Sequence, residues 1–339
     1  MSATPRPPDT SRDRDAIVCF GEALVDLLAM PPATPGAPRQ FVEYAGGAPA
    51  NVAVAAARLG GAACFVGMLG RDMFGDMLLA QLRGAGVDTG YVRRTDAAKT
   101  ALAFVSLDAD GERSFSFYRP PSADLLFRER DFDDRCFERA AVFHVCSNSL
   151  TEAAIADATL AGMARARAAG ALVSMDLNLR PSLWPAEVDP QAQAWRALFE
   201  ADLVKLSRQE LEFLAPGSGG EDGVIERLLR QRTRCVVVTD GAAPIRWFTR
   251  KHRGSAATFP ITAIDTTAAG DAFVGALLQQ LVSADVRAST FAEFLNRRDA
   301  FDHALRFAAA AGALATTRNG AFAAMPDAAG IDRLMQAAA

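Results

Sequence analysis

Residues 265–281, DTTAAGDAFVGALLQQL, place two carboxylates, Asp265 and Asp271, at the ends of a run of small and hydroxylated residues that leads into an apolar stretch. Phe273, Ala276, Leu277 and Leu281 recur at helical spacing, which predicts a helix beginning close to Gly270. The first N–H groups of a helix have no internal partner and its dipole is positive there. Ala268, Ala269 and Gly270 add no bulk, so an anion can approach those N–H groups closely. A phosphate oxygen is the natural ligand of such an end. A carboxylate beside it repels phosphate unless it has a task of its own, such as accepting the proton of an attacking hydroxyl. On these residues alone Asp271 reads equally well as an ordinary helix-start acid, with the alanines as packing.

Outward from this segment the chain alternates short apolar runs with helical ones. AIVCF at 16–20, ACFVGMLG at 63–70, AVFHVC at 141–146, ALVSMD at 171–176, ADLVKLS at 201–207 and CVVVTDG at 235–241 read as buried strands. GGAPANVAVAAARLGG at 46–61 reads as a loop entering a tightly packed helix that ends at Leu59. Such alternation implies crossover connections and an α/β fold, with a mainly parallel sheet covered on both faces. One part departs from it. TALAFVSLDADGERSFSFYRP, residues 100–120, shows two alternating runs around Asp108–Gly111, the pattern of an antiparallel hairpin, with Leu102, Phe104, Phe115 and Phe117 expected on one face. With the extended, Pro-rich segment 27–45, it predicts a small β-lid formed by segments 27–45 and 98–120. The expected organisation is a disordered tail over 1–14 and one domain over 15–339, since no repeat, linker or charge run divides the chain.

Half of the 339 residues are apolar, enough for a substantial core. A net charge of -4 gives no basic field, which argues against nucleic acid as a partner. The five cysteines are scattered, with no CxxC pair, so neither a disulfide framework nor a zinc site is expected, and a reduced cytoplasm is the simplest location. The amino-terminal MSATPRPPDTSRDRD has no apolar signal core, and no stretch reaches the roughly 18 apolar residues of a membrane span. His144, His252 and His303 form no local pair and read as structural. GxxxxGK[ST] and GxGxxG are both missing, so a nucleotide would have to be bound another way.

DTTAAGDAFVGALL resembles the carboxy-terminal signature, usually DTxGAGD, of the ribokinase-like (PfkB) carbohydrate kinases, and GGAPANVAVAAARLGG resembles their amino-terminal one. IVCFGEALVD, VGMLGRDMFG, FYRPPSADLLF, DLNLRPSLWP and RFAAAAGALATTRNGA follow in the order expected of the fructokinases in that family, so the likeness covers roughly residues 16–326. The resemblance implies a three-layer α/β/α domain with a β-lid and an ATP-dependent kinase that phosphorylates the primary hydroxyl of fructose. A 2-keto-3-deoxygluconate kinase, a ribokinase, a nucleoside kinase and a non-catalytic sugar-binding relative are the alternatives. It makes Asp271 the catalytic base and the backbone of Ala268, Ala269 and Gly270 the anion hole.

The same resemblance assigns the sugar to Asp26, Gly46, Gly47, Asn51, Tyr118, Arg119 and Arg180. It assigns ATP to Ser207, Thr239, Gly241 and Gly270, and Mg²⁺ to Glu210 through water. A K⁺ site at Asp265 and Thr267 is left open, because Ala324 replaces a hydroxyl that many relatives use there. Partners are the small-molecule sugar and ATP, with no nucleic acid and no membrane, and a homodimer is allowed without being fixed. Other departures are Ala268 for the first family glycine, Pro244 for a glycine of the nucleotide turn, and Ala309 for an asparagine near the adenine. The change at Ala268 matters only if the position requires a positive φ.

Overall fold

In the computed structural model, residues 15–30, 34, 36–107 and 113–338 are described. The tail expected over 1–14 and the hairpin loop Asp108–Gly111 lie outside the described residues. Among the described residues thirteen strands follow in chain order: β1 (Ala16–Phe20), β2 (Leu24–Met30), β3 (Gln40–Gly46), β4 (Ala63–Gly70), β5 (Val92–Thr95), β6 (Leu102–Leu107), β7 (Arg113–Tyr118), β8 (Ala140–Cys146), β9 (Leu172–Asp176), β10 (Leu203–Ser207), β11 (Cys235–Asp240), β12 (Ala243–Thr249) and β13 (Arg253–Ala256). Nine of them form one sheet in the order β13-β12-β11-β10-β9-β8-β1-β4-β5. It is parallel from β5 to β11 and antiparallel only at the β12 and β13 edge.

The apolar runs are continuous because both faces are covered. In β1, Ile17 and Cys19 pack into one core with the helices Ala48–Arg58, Ala269–Ser283 and Arg298–Ala315, while Ala16, Val18 and Phe20 pack into the other. The second core includes side chains of the helices Ala153–Ala168, Pro190–Leu198, Arg208–Leu214 and Gly220–Arg230. Parallel strands all finish at one edge, so the residues after β1, β8, β9, β10 and β11 gather there. That edge is where an open α/β sheet forms a crevice.

The smaller sheet runs β3-β2-β6-β7, with β2 antiparallel to β3, parallel to β6, and β6 antiparallel to β7. Its register corrects the expected hairpin face. Ala103 stands opposite Phe117 and Asp26, whereas Phe104 stands opposite Ser116 and Leu102 opposite Tyr118. Phe117 therefore shares the face of Asp26 and Ala103, Leu102 and Phe104 belong to the other, and the Phe115 side chain lies outside what is described. A run of alternating residues shows that two faces exist, but the turn sets which residues of the two strands match. Pro244, in doubt for its turn, falls within β12 beside the irregularity between Val238 and Asp240, where no ladder N–H is needed.

Helix Ala48–Arg58 lies against helix Ala269–Ser283 at Gly275. A Cβ added to Gly275 would sit 2.5 Å from the Ala55 Cβ and 2.8 Å from the Val52 carbonyl oxygen. The alanine-rich face and the glycine thus let two backbones approach. Gly275→Val is expected to destabilise the protein by about 1–3 kcal/mol through overpacking, read as a lower melting temperature. A variant melting with the parent would show that this contact is not close-packed.

Candidate active site

A cleft of about 710 Å³ opens between the carboxyl edge of the large sheet and the inner face of the small one. Its walls include Asp26 and Phe117 from the small sheet, Glu22 and Asn148 after β1 and β8, Asn178 and Arg180 after β9, and Lys205, Ser207 and Thr239 on β10 and β11. Ala268, Gly270 and Asp271 complete it at the start of helix Ala269–Ser283.

Asp271 is only 6% exposed. Its two oxygens each accept an amide N–H: Oδ2 from Asn51 Nδ2 at 2.7 Å and Oδ1 from Asn178 Nδ2 at 2.9 Å. Burial raises its pKa to about 6, against the Asn51 hydrogen bond, while Asp176 pushes it further up and Arg180 and Lys205 hold it down. A helix-surface acid would have none of these features. Asn178 reaches Asp271 from a left-handed backbone, φ 41°, stabilised by its own N–H to Asp176 Oδ1.

Lys205 is a cation flanked by Val204 and Leu206 in the middle of a strand, and it is 7% exposed. Its Nζ donates to both oxygens of Asp176, at 3.0 and 3.1 Å. Burial works against the ammonium, but Asp176 and Glu210 outweigh it and raise its pKa, so it stays charged. The Nζ also lies 3.2 Å from where a Cβ of Gly270 would be, so a buried positive charge stands beside the helix start.

The residue before that helix settles the question raised by Ala268. Its φ is 59° and its ψ 11°, the left-handed region, so the family glycine position does require a positive φ and an alanine occupies it here. A methyl group removes no N–H, though the Ala269 N–H donates to the Thr266 carbonyl oxygen at 3.4 Å.

The residues expected to act do not all converge. Gly47, with φ 103°, is a true glycine position, since a Cβ would meet the Glu22 carbonyl oxygen at 2.6 Å; Gly46 is held open by Asp26 Oδ2 at the same distance. Asn51 lines the cleft, but its Nδ2 is engaged by Asp271, leaving its buried Oδ1 without a hydrogen-bond partner. Tyr118 does not enter the cleft: it shares the outer face with Phe104, against whose ring it packs edge-on at 4.9 Å, and is 67% exposed. Strand alternation gives the inner position to Phe117 instead.

Arg119 is not in the cleft either. It is 2% exposed, with Nη2 2.6 Å from Asp124 Oδ2 and Nη1 donating to Thr151 Oγ1. Burial opposes its charge, but Asp124 and Glu22 outweigh this and raise its pKa, so it acts from behind the wall. The partner five residues downstream, Asp124, was the available signal.

Ser207 and Glu210 form a capping box: Ser207 Oγ accepts from Glu210 N, and Glu210 Oε2 accepts from Ser207 N at 2.6 Å. Glu210 Oε1 also accepts from Leu179 N at 2.8 Å, so this buried carboxylate ties the loop after β9 to that after β10. Thr239 lines the cleft; Gly241 lies beyond the lining, in the β11–β12 turn with φ 53°. Asp265 is 3% exposed, its carboxylate accepting from Thr267 N at 2.8 Å and Gly320 N at 3.0 Å.

Glu22, Asn148, Asp176, Asn178 and Lys205 escaped the sequence reading. Glu22 is 1% exposed and accepts from Asn148 Nδ2 at 2.9 Å and Ala48 N at 3.2 Å; burial raises its pKa, against Arg119. The signal was present in the charged residues within or just after apolar runs, FGE, MDLN and LVKLS, since a buried charge demands a partner.

A family model described as "pfkB family carbohydrate kinase" matches residues 14–328. Fructokinase-1 of Oryza sativa subsp. japonica is 43% identical over 329 residues, covering 96% of this chain and 98% of that protein. A solved fructokinase from Xylella fastidiosa with bound ATP is 52% identical with a TM-score of 0.91, covering 95% of this chain and 98% of that one. One from Vibrio cholerae O395 with fructose, ADP and calcium is 34% identical with a TM-score of 0.82, covering 95% and 99%.

Ala268→Gly is expected to stabilise the chain by up to about 1 kcal/mol, as relief of left-handed strain outweighs the greater freedom of glycine in the unfolded state. Chemical denaturation measures it, and a clear loss of stability would show that the Ala268 methyl contributes packing that exceeds the strain.

Proposed function

This chain belongs to the pfkB family of carbohydrate kinases, and on that premise we propose that it transfers the γ-phosphoryl group of ATP to the primary 6-hydroxyl of D-fructose. The observation that carries the reading is Asp271: a buried carboxylate, oriented by two amides, at the first turn of a helix whose open N–H groups and neighbouring Lys205 suit a phosphoryl group. With a pKa of about 6 it is ionised at neutral pH yet close enough to that pH to take a hydroxyl proton in the transition state. The N–H groups of the helix start and the Lys205 ammonium then face the charge on the transferring group.

The sugar end favours a neutral polyol. Asp26 and Glu22 are both acids, and the Oδ1 atoms of Asn51 and Asn148 are buried without hydrogen-bond partners, so this wall offers acceptors to hydroxyl donors. A substrate carboxylate would meet like charge there. Arg180 and Lys205 instead act on Asp271, at the reacting end. The inner face of the small sheet, with Phe117 and Asp26, would cover the sugar and exclude water that could otherwise take the phosphoryl group.

ATP would run along the strand ends past Thr239 and Ser207. Glu210 fits an Mg²⁺ held mainly by the phosphates, because each of its oxygens accepts one backbone N–H and keeps a lone pair for a metal-bound water. The ion supplies neutralisation of phosphate charge. Asp265 and Thr267 fit the loop of a K⁺ site, with Asp265 as its buried charge. All five cysteines are free and buried, which supports placement in a reducing compartment such as the cytoplasm.

In an assay of ADP release over fructose, ribose, 2-keto-3-deoxygluconate and nucleosides, fructose is expected to give the highest kcat/KM. A preference for the keto-acid would overturn the argument from the acidic wall.

Asp271→Asn should lower turnover by about 10²–10⁴-fold with substrate binding within a few fold. In the parent, kcat/KM should fall about tenfold per pH unit below about 6. The stability effect has the opposite sign. A carboxyl whose folded pKa is raised costs stability as pH climbs from its unfolded value near 4 to about 6, and the cost is complete above that. The variant should therefore melt above the parent at pH 8 and lose this advantage below about pH 4. Near-parental turnover would return Asp271 to the role of a helix-start acid.

A further inference from the structure

Away from the active cleft, a second cleft of about 670 Å³ lies where three helices meet. Arg58 comes from the last turn of helix Ala48–Arg58, Arg318 follows the end of helix Arg298–Ala315, and Arg333 stands on helix Ala328–Ala337. A basic residue at a helix end is commonplace, since it complements the dipole. That accounts for Arg58 alone, since Arg318 lies beyond its helix and Arg333 in the middle of its own.

Arg58 is anchored by Nη1 donating to the Met325 carbonyl oxygen at 2.7 Å, so its guanidinium is held on the cleft wall. Among the described residues Arg318 and Arg333 have neither an ion-pair partner nor a side-chain hydrogen bond. Asp327 is the acid in the lining, and its Oδ1 accepts from Gly330 N at 2.7 Å, where it caps the last helix. The lining therefore carries three positive charges against one negative, in a protein whose net charge is -4. Burial lowers the Arg58 pKa and the neighbouring Arg318 lowers it further, with Asp327 opposing them only in part, so the like charges feel one another. An anion placed between them would relieve that repulsion.

We propose that this cleft is a binding site for a phosphoryl dianion, free or carried on a small organic molecule, held by Arg58, Arg318 and Arg333. Guanidinium groups match phosphoryl oxygens with paired N–H donors, which suits them to this ligand better than to a halide. The volume exceeds what orthophosphate needs and lies within the range of small-molecule sites, leaving room for an attached sugar. The far wall belongs to the segment that supports Asp265. Thr317 and Ala324 line the cleft, the Thr316 carbonyl oxygen accepts from Asp265 N at 3.0 Å, and Gly320 N donates to Asp265.

The test is calorimetric titration of the full chain, with its phosphate end occupied by a non-hydrolysable ATP analogue. Orthophosphate is titrated in one arm and fructose 6-phosphate in the other, both at fixed ionic strength. Saturable binding of at least one probe is expected, weakened by at least about tenfold in the Arg318→Ala, Arg333→Ala double variant. The KM for ATP should stay unchanged, because neither residue touches the active cleft. Equal affinity for the two probes identifies the phosphoryl group alone as the ligand, and tighter fructose 6-phosphate binding identifies an organic phosphate. Binding that survives in the double variant, or no saturable binding of either probe, overturns the proposal.

Discussion

The packing of helix Ala48–Arg58 on helix Ala269–Ser283 is the constraint on which the site depends. Gly275 leaves no side chain between them, and the small residues Val52 and Ala55 fill the contact. That closeness brings Asn51, near the start of one helix, within 2.7 Å of Asp271, in the first turn of the other. Residues 220 positions apart in the chain thereby share a hydrogen bond at the crevice. A wider spacing would leave Asp271 without the amide that orients it.

Once the two helix starts are fixed, the electrostatics of the cleft follow from burial. Asp271, Asp176, Glu210 and Glu22 are four carboxylates with 7% exposure or less, each with named partners: amides for Asp271, Lys205 for Asp176, backbone N–H groups for Glu210, and Asn148 with Ala48 N–H for Glu22. Buried charge is tolerated only when paired or hydrogen-bonded. The pairing also separates tasks. Asp176 is saturated by Lys205 and holds a positive charge near the helix start, whereas Asp271 receives neutral amides and keeps a raised pKa. Two nearby buried aspartates thus have unlike partners.

The small sheet has its own division of faces. On its inner face Asp26 and Phe117 meet the cleft, while Phe104 and Tyr118 pack together on the outside with Phe41. Arg119, one residue beyond β7, leaves both faces and turns into the body of the protein to pair with Asp124. Three consecutive residues, Phe117, Tyr118 and Arg119, therefore serve the cleft, the outer surface and the buried scaffold in turn.

The sequence by itself determined the alternation of strands and helices, the existence of the hairpin and a helix start close to Gly270. Each depends on local periodicity, on small residues or on a resemblance carried by contiguous motifs. It did not determine which face of the hairpin meets the cleft, because register is set by pairing between strands and a one-residue shift exchanges every side chain. Nor could it show that Asn51 and Asn178 hold Asp271, that Lys205 lies beside Gly270, or that Ala268 sits at φ 59°. Those relations join positions far apart in the chain, and only close packing in three dimensions brings their atoms within hydrogen-bonding distance.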